Sequence, residues 1–355
     1  MFHIDSFMIR FSKLAWKGDS MAERKVRWGI LGSAGIAKRA MIPGIQGSDT
    51  GVLAAIASRD AEKAKETAAQ FAIPNWYGSY EELLADPNID AVYIPLPNHL
   101  HREWTIRAAQ AGKHVMCEKP AALTADEALE MVQACDKAGV LFAEAFMYRY
   151  HPRYERIKQI IESGEIGEVR GLHGTFTFNN AASPENVRFH RSMGGGGLYD
   201  VGCYPISAAR LILGTEPEAA TVHAFLSPKH DYVDMMAAGL LEFPNHVALT
   251  FDCAMWAAGR NTLEILGTDG LIELPHAFLG DLDFFVTVKG ERRMEKAEKL
   301  NLYSLQADSF GRSILDGDPL LFPPMDAVRN MEALDACLKS MNERNRVEVK
   351  GRMEQ

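Results

Sequence analysis

Val26-Arg27-Trp28-Gly29-Ile30-Leu31-Gly32-Ser33-Ala34-Gly35-Ile36-Ala37 is the stretch on which the fold turns. An apolar run over 26–31 ends in a glycine-rich turn, and residues 37–45 read as a helix. Gly32-x-Ala34-x-x-Ala37 is a G-x-G-x-x-G/A fingerprint with alanine at its second position. Such a turn must be tight, let the backbone approach a pyrophosphate, and aim a helix N-terminus at the anion. Ala34 adds a methyl where the approach is closest, so its turn differs slightly from the glycine form. The same pattern also suits a tight connection without a ligand. Its place in the first strand-helix-strand unit favours a dinucleotide, with Gly32, Ser33, Ala34 and Ile36 as contacts.

Outward from this turn, short apolar runs alternate with helical stretches. Strands are expected at 52–57, 91–94, 114–117 and 141–143, and helices at 61–71, 80–84, 101–111 and 125–138. Continuous apolar strands between helices predict a parallel sheet covered on both faces. From residue 169 the pattern becomes long and alternating, with strands at 169–178, 219–226, 235–243, 247–254, 262–266, 271–274 and 284–288. Thr268-Asp269-Gly270 marks a hairpin turn. Helices flank these strands at 154–163, 199–213, 303–315 and 325–341. The fold class is therefore α/β. A Rossmann dinucleotide-binding domain is expected over 23–147, and an α+β domain with a large, mostly antiparallel open sheet over 148–350. Residues 1–22 read as a disordered N-terminal extension, with Met21 as an alternative start.

A length of 355 residues suits two domains. The net charge of −9 argues against a nucleic-acid partner held through phosphates. No stretch reads as a membrane span. Cys117, Cys135, Cys203, Cys253 and Cys337 are scattered and form no C-x-x-C pair. Neither a disulfide framework nor a zinc site is expected, and a reducing cytoplasm is the expected compartment.

Open α/β sheets bind ligands beyond the carboxyl ends of their strands. The second strand runs into Ala57-Ser58-Arg59-Asp60. An acid there would hold the ribose 2′-hydroxyl of NAD, whereas the Ser58 hydroxyl and Arg59 guanidinium suit a 2′-phosphate. NADP is the preferred cofactor. NAD is the alternative, because a small register shift would bring Asp60 to the ribose. Pro95-Leu96-Pro97-Asn98-His99-Leu100-His101 follows the next apolar strand. Pro95, Leu96, Asn98 and His101 are read as cofactor contacts. His99 and His101 resemble a metal pair, but Asn98 as a helix cap accounts for the turn, and no metal is assigned. Glu118-Lys119-Pro120 comes after the strand at 114–117. The proline restricts the backbone and turns Lys119 into the crevice where nicotinamide would lie. Glu118 and Lys119 complete the cofactor set.

The turn at Gly32, the Pro97-Asn98-His99 and Glu118-Lys119-Pro120 motifs, and Gly194-Gly195-Gly196-Gly197-Leu198-Tyr199-Asp200-Val201-Gly202-Cys203-Tyr204-Pro205 together resemble the glucose-fructose oxidoreductase / inositol dehydrogenase / MocA family. The resemblance spans roughly residues 25–350. Many members carry histidine where this chain has Tyr204. The tyrosine form is similar to the subgroup of glucose-fructose oxidoreductase, dimeric dihydrodiol dehydrogenase and NADP-dependent xylose dehydrogenase. The resemblance implies a catalytic site of Lys119, Asp200 and Tyr204, a cis bond before Pro120, and a homodimer or higher oligomer built on the open sheet.

The chemistry of these residue types agrees with that implication. Removing hydride from an alcohol needs a base for the hydroxyl proton. Tyrosine is a poor base at its ordinary pKa of roughly 10. A nearby ammonium favours the phenolate, so Lys119 is expected to lower Tyr204. Asp200 precedes Tyr204 by four residues and shares its helix face, with Pro205 best placed near the first turn. Asp200 is read as a hydrogen-bond partner of substrate or lysine. The plainer alternatives are a core aromatic for Tyr204 and a helix-start anion for Asp200. Tyr148, Arg149 and Arg188, with Arg191, are read as substrate contacts, or otherwise as interdomain or surface ion pairs. The expected activity is NADP-preferring oxidation of CH–OH in a sugar or sugar-like polyol, aldose to lactone foremost. A trans-dihydrodiol is the alternative substrate, and a non-catalytic NAD(P)-sensing regulator the alternative of another class.

Overall fold

In the computed structural model, which describes residues 24–183, 185–280 and 283–351, the run Val26–Leu31 forms β1. The expected extension over 1–22 lies outside the described residues. The first sheet continues with β2 (Gly51–Ala57), β3 (Asn75–Tyr77), β4 (Ala91–Ile94), β5 (His114–Glu118) and β6 (Phe142–Ala145). Every neighbour is parallel, in the order β3-β2-β1-β4-β5-β6. That order reverses between β1 and β4, which opens a ligand crevice beyond the carboxyl ends. All four residues of β4 are buried, as a sheet covered on both faces requires. β3 has three residues, too few to show a period, and no sequence signal marks it.

Helices α1 (Ile42–Gln46), α2 (Ala61–Gln70), α3 (Tyr80–Ala85), α4 (His101–Gln110) and α5 (Ala125–Ala138) supply the layers. The expected helix over 37–45 opens as a π-helical turn, Ala37–Met41, before α1 begins. Pro43 stands in the first turn of α1, where no amide is needed. Asp60, Ser79 and Thr124 cap α2, α3 and α5 by accepting from Lys63 N, Glu82 N and Glu127 N.

The second sheet holds β7 (Val169–Asn179), β8 (Ala219–Leu226), β9 (Asp234–Phe243), β10 (Val247–Ala254), β11 (Trp256–Gly267), β12 (Gly270–Leu274), β13 (Phe284–Val288), β14 (Glu291–Glu295) and β15 (Val347–Glu348). Its order is β14-β13-β12-β11-β7-β10-β9-β8-β15, antiparallel except for the β7–β10 pair. β11 starts before the expected residue 262, because a register shift between Trp256 and Arg260 interrupts the alternation there. β14 is a charged edge strand and β15 has two residues, so neither carries an apolar pattern.

The remaining helices are α6 (Arg153–Glu162), α7 (Cys203–Leu213), α8 (Leu302–Leu315) and α9 (Met325–Glu343). α7 lies against β7 so closely that a Cβ on Gly174 would sit 2.6 Å from Pro205 Cβ. α9 bridges the halves: Ser340 Oγ accepts from Val222 N of β8, and Asp335 accepts from Ala125 N of α5. α8 returns to the first sheet. Asp308 accepts from Ser48 Oγ, Thr50 N and Thr50 Oγ1, while Phe310 packs on Trp28.

A buried ion network joins the 3₁₀ turn Met147–Tyr150, after β6, to α7 and α9. Arg149 donates to Ser207 Oγ and pairs with Asp326, which also accepts from Arg210 at 2.8 Å. Both arginine side chains are 3% exposed. Arg149, expected at the substrate, is instead committed to this joint. Burial works to raise the Asp326 carboxyl, but Arg149 and Arg210 outweigh it and hold the group at about 2. Asp326→Ala is expected to destabilise the fold by about 3–5 kcal/mol in urea titrations, since it strips the buried Arg149 guanidinium of its carboxylate, while Arg210 keeps Glu216. Its folded pKa is depressed, so the contribution is complete above the unfolded value of about 4 and is lost as pH falls towards 2. Wild type and Asp326→Ala should therefore converge in stability across that acid window.

Candidate active site

Beyond the carboxyl end of β5, side chains from both halves of the chain meet. β5 delivers Glu118 and Lys119, and the Lys119-Pro120 bond is cis. Lys119 Nζ donates to the Asp200 carbonyl at 2.6 Å and lies 3.5 Å from Asp200 Oδ1. The other carboxylate oxygen of Asp200 accepts from Arg188 Nε at 2.6 Å. Asp200 belongs to a π-helical turn, Leu198–Gly202, that leads into α7. Tyr204 is the second residue of α7, with Pro205 in the first turn as its chemistry requires.

Tyr204 is 6% exposed and packs against Phe146, Tyr148, Phe176 and Phe278. Lys119 Nζ stands over its ring, 4.9 Å from the centroid. Burial is the largest influence and would lower the Lys119 ammonium, yet Asp200, Cys203 and Glu118 together outweigh it and hold the group above the ordinary lysine value. Burial would likewise raise Asp200, but Arg188 and Lys119 keep it below the usual carboxylate range. Burial pushes the Tyr204 phenol well above its ordinary value, and Tyr303 and Glu118 add to this. The expectation that Lys119 lowers Tyr204 is therefore corrected. The ammonium faces the ring rather than the oxygen, and Asp200 already balances its charge. Tyr204 rests as a neutral phenol, a proton donor.

Glu118 accepts from Tyr93 Oη at 2.5 Å and from Lys119 N at 3.2 Å. Asn98 does not cap the turn after β4. Pro97 holds that position, and Asn98 Nδ2 donates 2.8 Å to the Gly194 carbonyl, tying the first half to the glycine run. His101 is fully buried, its ring nitrogens against the Pro120 and Leu96 carbonyls, and burial pushes it down to about 4. It braces two loops rather than facing the crevice. Tyr148 is also fully buried, its hydroxyl held by Ser207 Oγ, so it backs Tyr204 instead of meeting substrate.

At the glycine turn, Gly32 has φ +114°, and a Cβ there would lie 3.0 Å from Leu96 Cδ2. Only glycine suits both demands. Ser33, Ala34 and Ile36 are partly exposed beside it, and Pro95 is buried behind Leu96. Ser58 Oγ accepts from Asp60 N. The Asp60 carboxylate caps α2 and pairs with Lys63, whose carbonyl accepts from Ser33 Oγ of the glycine turn. Arg59 lies by Tyr80, whose phenol burial raises and Arg59 works against.

Tyr303 of α8 is a site residue that no sequence signal marks. Burial raises its phenol, Glu118 adds to this and Arg39 works against it, and Tyr303 in turn acts on Tyr204 and Tyr93. α8 carries it to within contact of α1, where a Cβ on Gly44 would lie 2.5 Å from Tyr303 Cβ. Among the described residues, no cluster of acidic, histidine and cysteine side chains is arranged for a metal, and no helix is long and apolar enough to cross a membrane.

Residues 26–146 match the family described as an oxidoreductase family with an NAD-binding Rossmann fold (GFO/IDH/MocA), and residues 154–273 match a GFO/IDH/MocA C-terminal domain. The chain is 40% identical over 332 residues to an uncharacterized oxidoreductase, ORF334, of Rhizobium meliloti, covering 90% of this chain and 98% of that protein. It is 37% identical over 318 residues to D-xylose 1-dehydrogenase (NADP(+)) 2 of Haloferax volcanii, covering 88% and 96%. Among solved structures, the aldose-aldose oxidoreductase of Caulobacter crescentus complexed with glycerol superposes with a TM-score of 0.86 at 28% identity, covering 92% of this chain and all of that one.

Of the groups that raise Lys119, Asp200 contributes most, ahead of Cys203 and Glu118. In Asp200→Asn, burial should prevail and the Lys119 ammonium should titrate below an ordinary lysine. Lysine-ε NMR titration, with Lys119→Arg for assignment, checks this. A Lys119 that stays high would mean another anion holds it.

Proposed function

This chain belongs to the GFO/IDH/MocA oxidoreductase family, and we propose that it moves a hydride between NADP and the CH–OH carbon of a sugar or sugar-like polyol, aldose to lactone being the leading case. The observation that carries the reading is the convergence of Lys119, Asp200 and Tyr204 beyond the carboxyl end of β5. Similarity to a D-xylose 1-dehydrogenase and to an aldose-aldose oxidoreductase supports the sugar.

The residues present fit the cofactor. Gly32 leaves the turn open to close backbone approach, and the following π-helical turn presents its amides there. Arg59 is available for a 2′-phosphate, while Asp60 is engaged as a cap. Ser33, Ala34, Ile36, Ser58 and Leu96 would line the dinucleotide, and Lys119 the nicotinamide end. Bound NADP supplies the hydride acceptor.

The remaining work falls to side chains. Tyr204 holds or releases the proton of the substrate oxygen. Its neutral resting state suits donation when a carbonyl is reduced, and oxidation requires the phenolate. Lys119 stabilises that phenolate or the substrate oxygen once it turns from the ring face to the oxygen. Asp200 keeps Lys119 charged, and Arg188 anchors Asp200 beside the substrate. Self-association through the outer face of the second sheet, where Phe225 and Leu266 are exposed, belongs to the same proposal.

The deciding experiment titrates NADP and NAD against the protein, then screens aldoses and diols for reduced-nicotinamide absorbance. NADP-dependent oxidation of an aldose is the expected result, and nucleotide binding with no turnover of any alcohol would overturn it. Tyr204→Phe should lower kcat by about 100-fold or more and leave NADP affinity intact. Oxidation should rise with pH in wild type, because the phenol must deprotonate, and this limb should vanish in Tyr204→Phe. Arg59→Ala should weaken NADP about tenfold and NAD hardly at all, and an equal effect on both would reject the 2′-phosphate contact.

A further inference from the structure

We propose that Asp234 is a positioning residue for this reaction, its buried carboxylate organising the glycine run over 194–197 and the turn behind it, and so setting where Asp200 and Tyr204 stand. The inference rests on the oxidoreductase reading above for its kinetic consequence, and on geometry alone for its structural one.

Asp234 opens β9 and is 3% exposed. One carboxylate oxygen accepts from Leu198 N at 2.7 Å, the first amide of the π-helical turn. The chain wraps the other oxygen. A Cβ on Gly196 would lie 2.0 Å from Asp234 Oδ1, and Gly196 has φ +124°, so no other residue type fits. Thus Gly196 is glycine because a carboxylate occupies the space its side chain would take. The groups that feel this carboxylate are Cys253 of β10 and Tyr199 of the turn, both uncharged. Burial pushes the Asp234 carboxyl up to about 7, against the pull of the Leu198 and Gly197 amides.

The consequences run in two directions. Forward, Asp200 N donates to Gly196 O at 3.0 Å, and Tyr204 follows one helical turn later. Backward, Gly196 N donates to Arg188 O at 3.0 Å, so the residue that wraps Asp234 also tethers the arginine that grips Asp200. At the far end of the run Gly194 is fixed to the first half by Asn98. Besides its backbone bonds to Arg188, His190 and Arg191, the glycine run has side chains at both ends, Asn98 at Gly194 and Asp234 beneath Gly196 and Leu198. Asp234 touches neither Lys119 nor Tyr204 and acts only through the backbone between them.

Asp234→Asn keeps the shape and one acceptor oxygen, and Gly196→Ala pushes a methyl at the same carboxylate. Both should lower kcat for NADP-dependent aldose oxidation by about 10- to 100-fold, with NADP affinity within about twofold of wild type. Asp234→Ala should lose more than Asp234→Asn, the conservative change rescuing part of the rate. Wild-type kcat in Asp234→Asn would overturn the proposal, as would a parallel loss of NADP affinity, which marks general damage. Should the wild-type protein oxidise no sugar, the oxidoreductase reading fails on its own. The crystal structure of Asp234→Asn then decides this inference separately. A displaced Asp200 carboxylate, parted from Lys119 and Arg188, supports it, and an unmoved turn overturns it.

Discussion

Burying a lysine at the floor of a crevice requires an anion that is buried with it. Lys119 comes from a parallel strand of the first sheet, and Asp200 comes from a helix entrance in the second half of the chain. Asp200 already has Arg188 from its own half, whereas a buried Lys119 without an anion would cost several kcal/mol. Closing the two halves on each other supplies that anion and assembles the site. Arg188 adds a second cation to the same carboxylate, so Asp200 stays ionised while half of its interactions face the site. Tyr204 pays no such charge penalty. It is held by four aromatic rings and left neutral.

Much of this was legible in residue order. The turn at Gly32 has a local signature, because its φ admits no other residue. Lys119, Asp200 and Tyr204 stand in motifs whose glycine and proline neighbours constrain the chain nearby. The second sheet announced itself through alternation, except where a bulge, a charged edge or a two-residue strand removed the period. What sequence concealed depends on long-range packing. Tyr303 sits at the start of an amphipathic helix and looks like any other core aromatic until α8 docks. Asp234 opens an ordinary strand, and only the fold shows a carboxylate under the glycine run. Arg149 and Tyr148 follow directly on the sixth strand, yet Ser207 and Asp326 claim their polar ends. Direction, more than proximity, is what one-dimensional patterns leave out.

The electrostatic correction at Tyr204 has the same origin. Residue types alone place an ammonium near a phenol and suggest a lowered value. The outcome depends on whether the charge meets the oxygen or the ring, and on what else has claimed the charge. Here it meets the ring, with Asp200 as claimant. With this geometry the phenol stays protonated and the ammonium is shared between the ring face and Asp200.

The return of α8 to the first sheet has a consequence for biogenesis. The Ser48–Thr50 corner is covered by Asp308, 260 positions after Ser48, and Trp28 by Phe310, which lies still further along the chain. On the ribosome, the first sheet is complete in hydrogen bonds long before that cover exists. One apolar flank of β1 and β2 must then wait, exposed, until almost the whole polypeptide has emerged. A chain that stops before α8 lacks Phe310 and Asp308, and so leaves Trp28 and the Ser48–Thr50 corner uncovered.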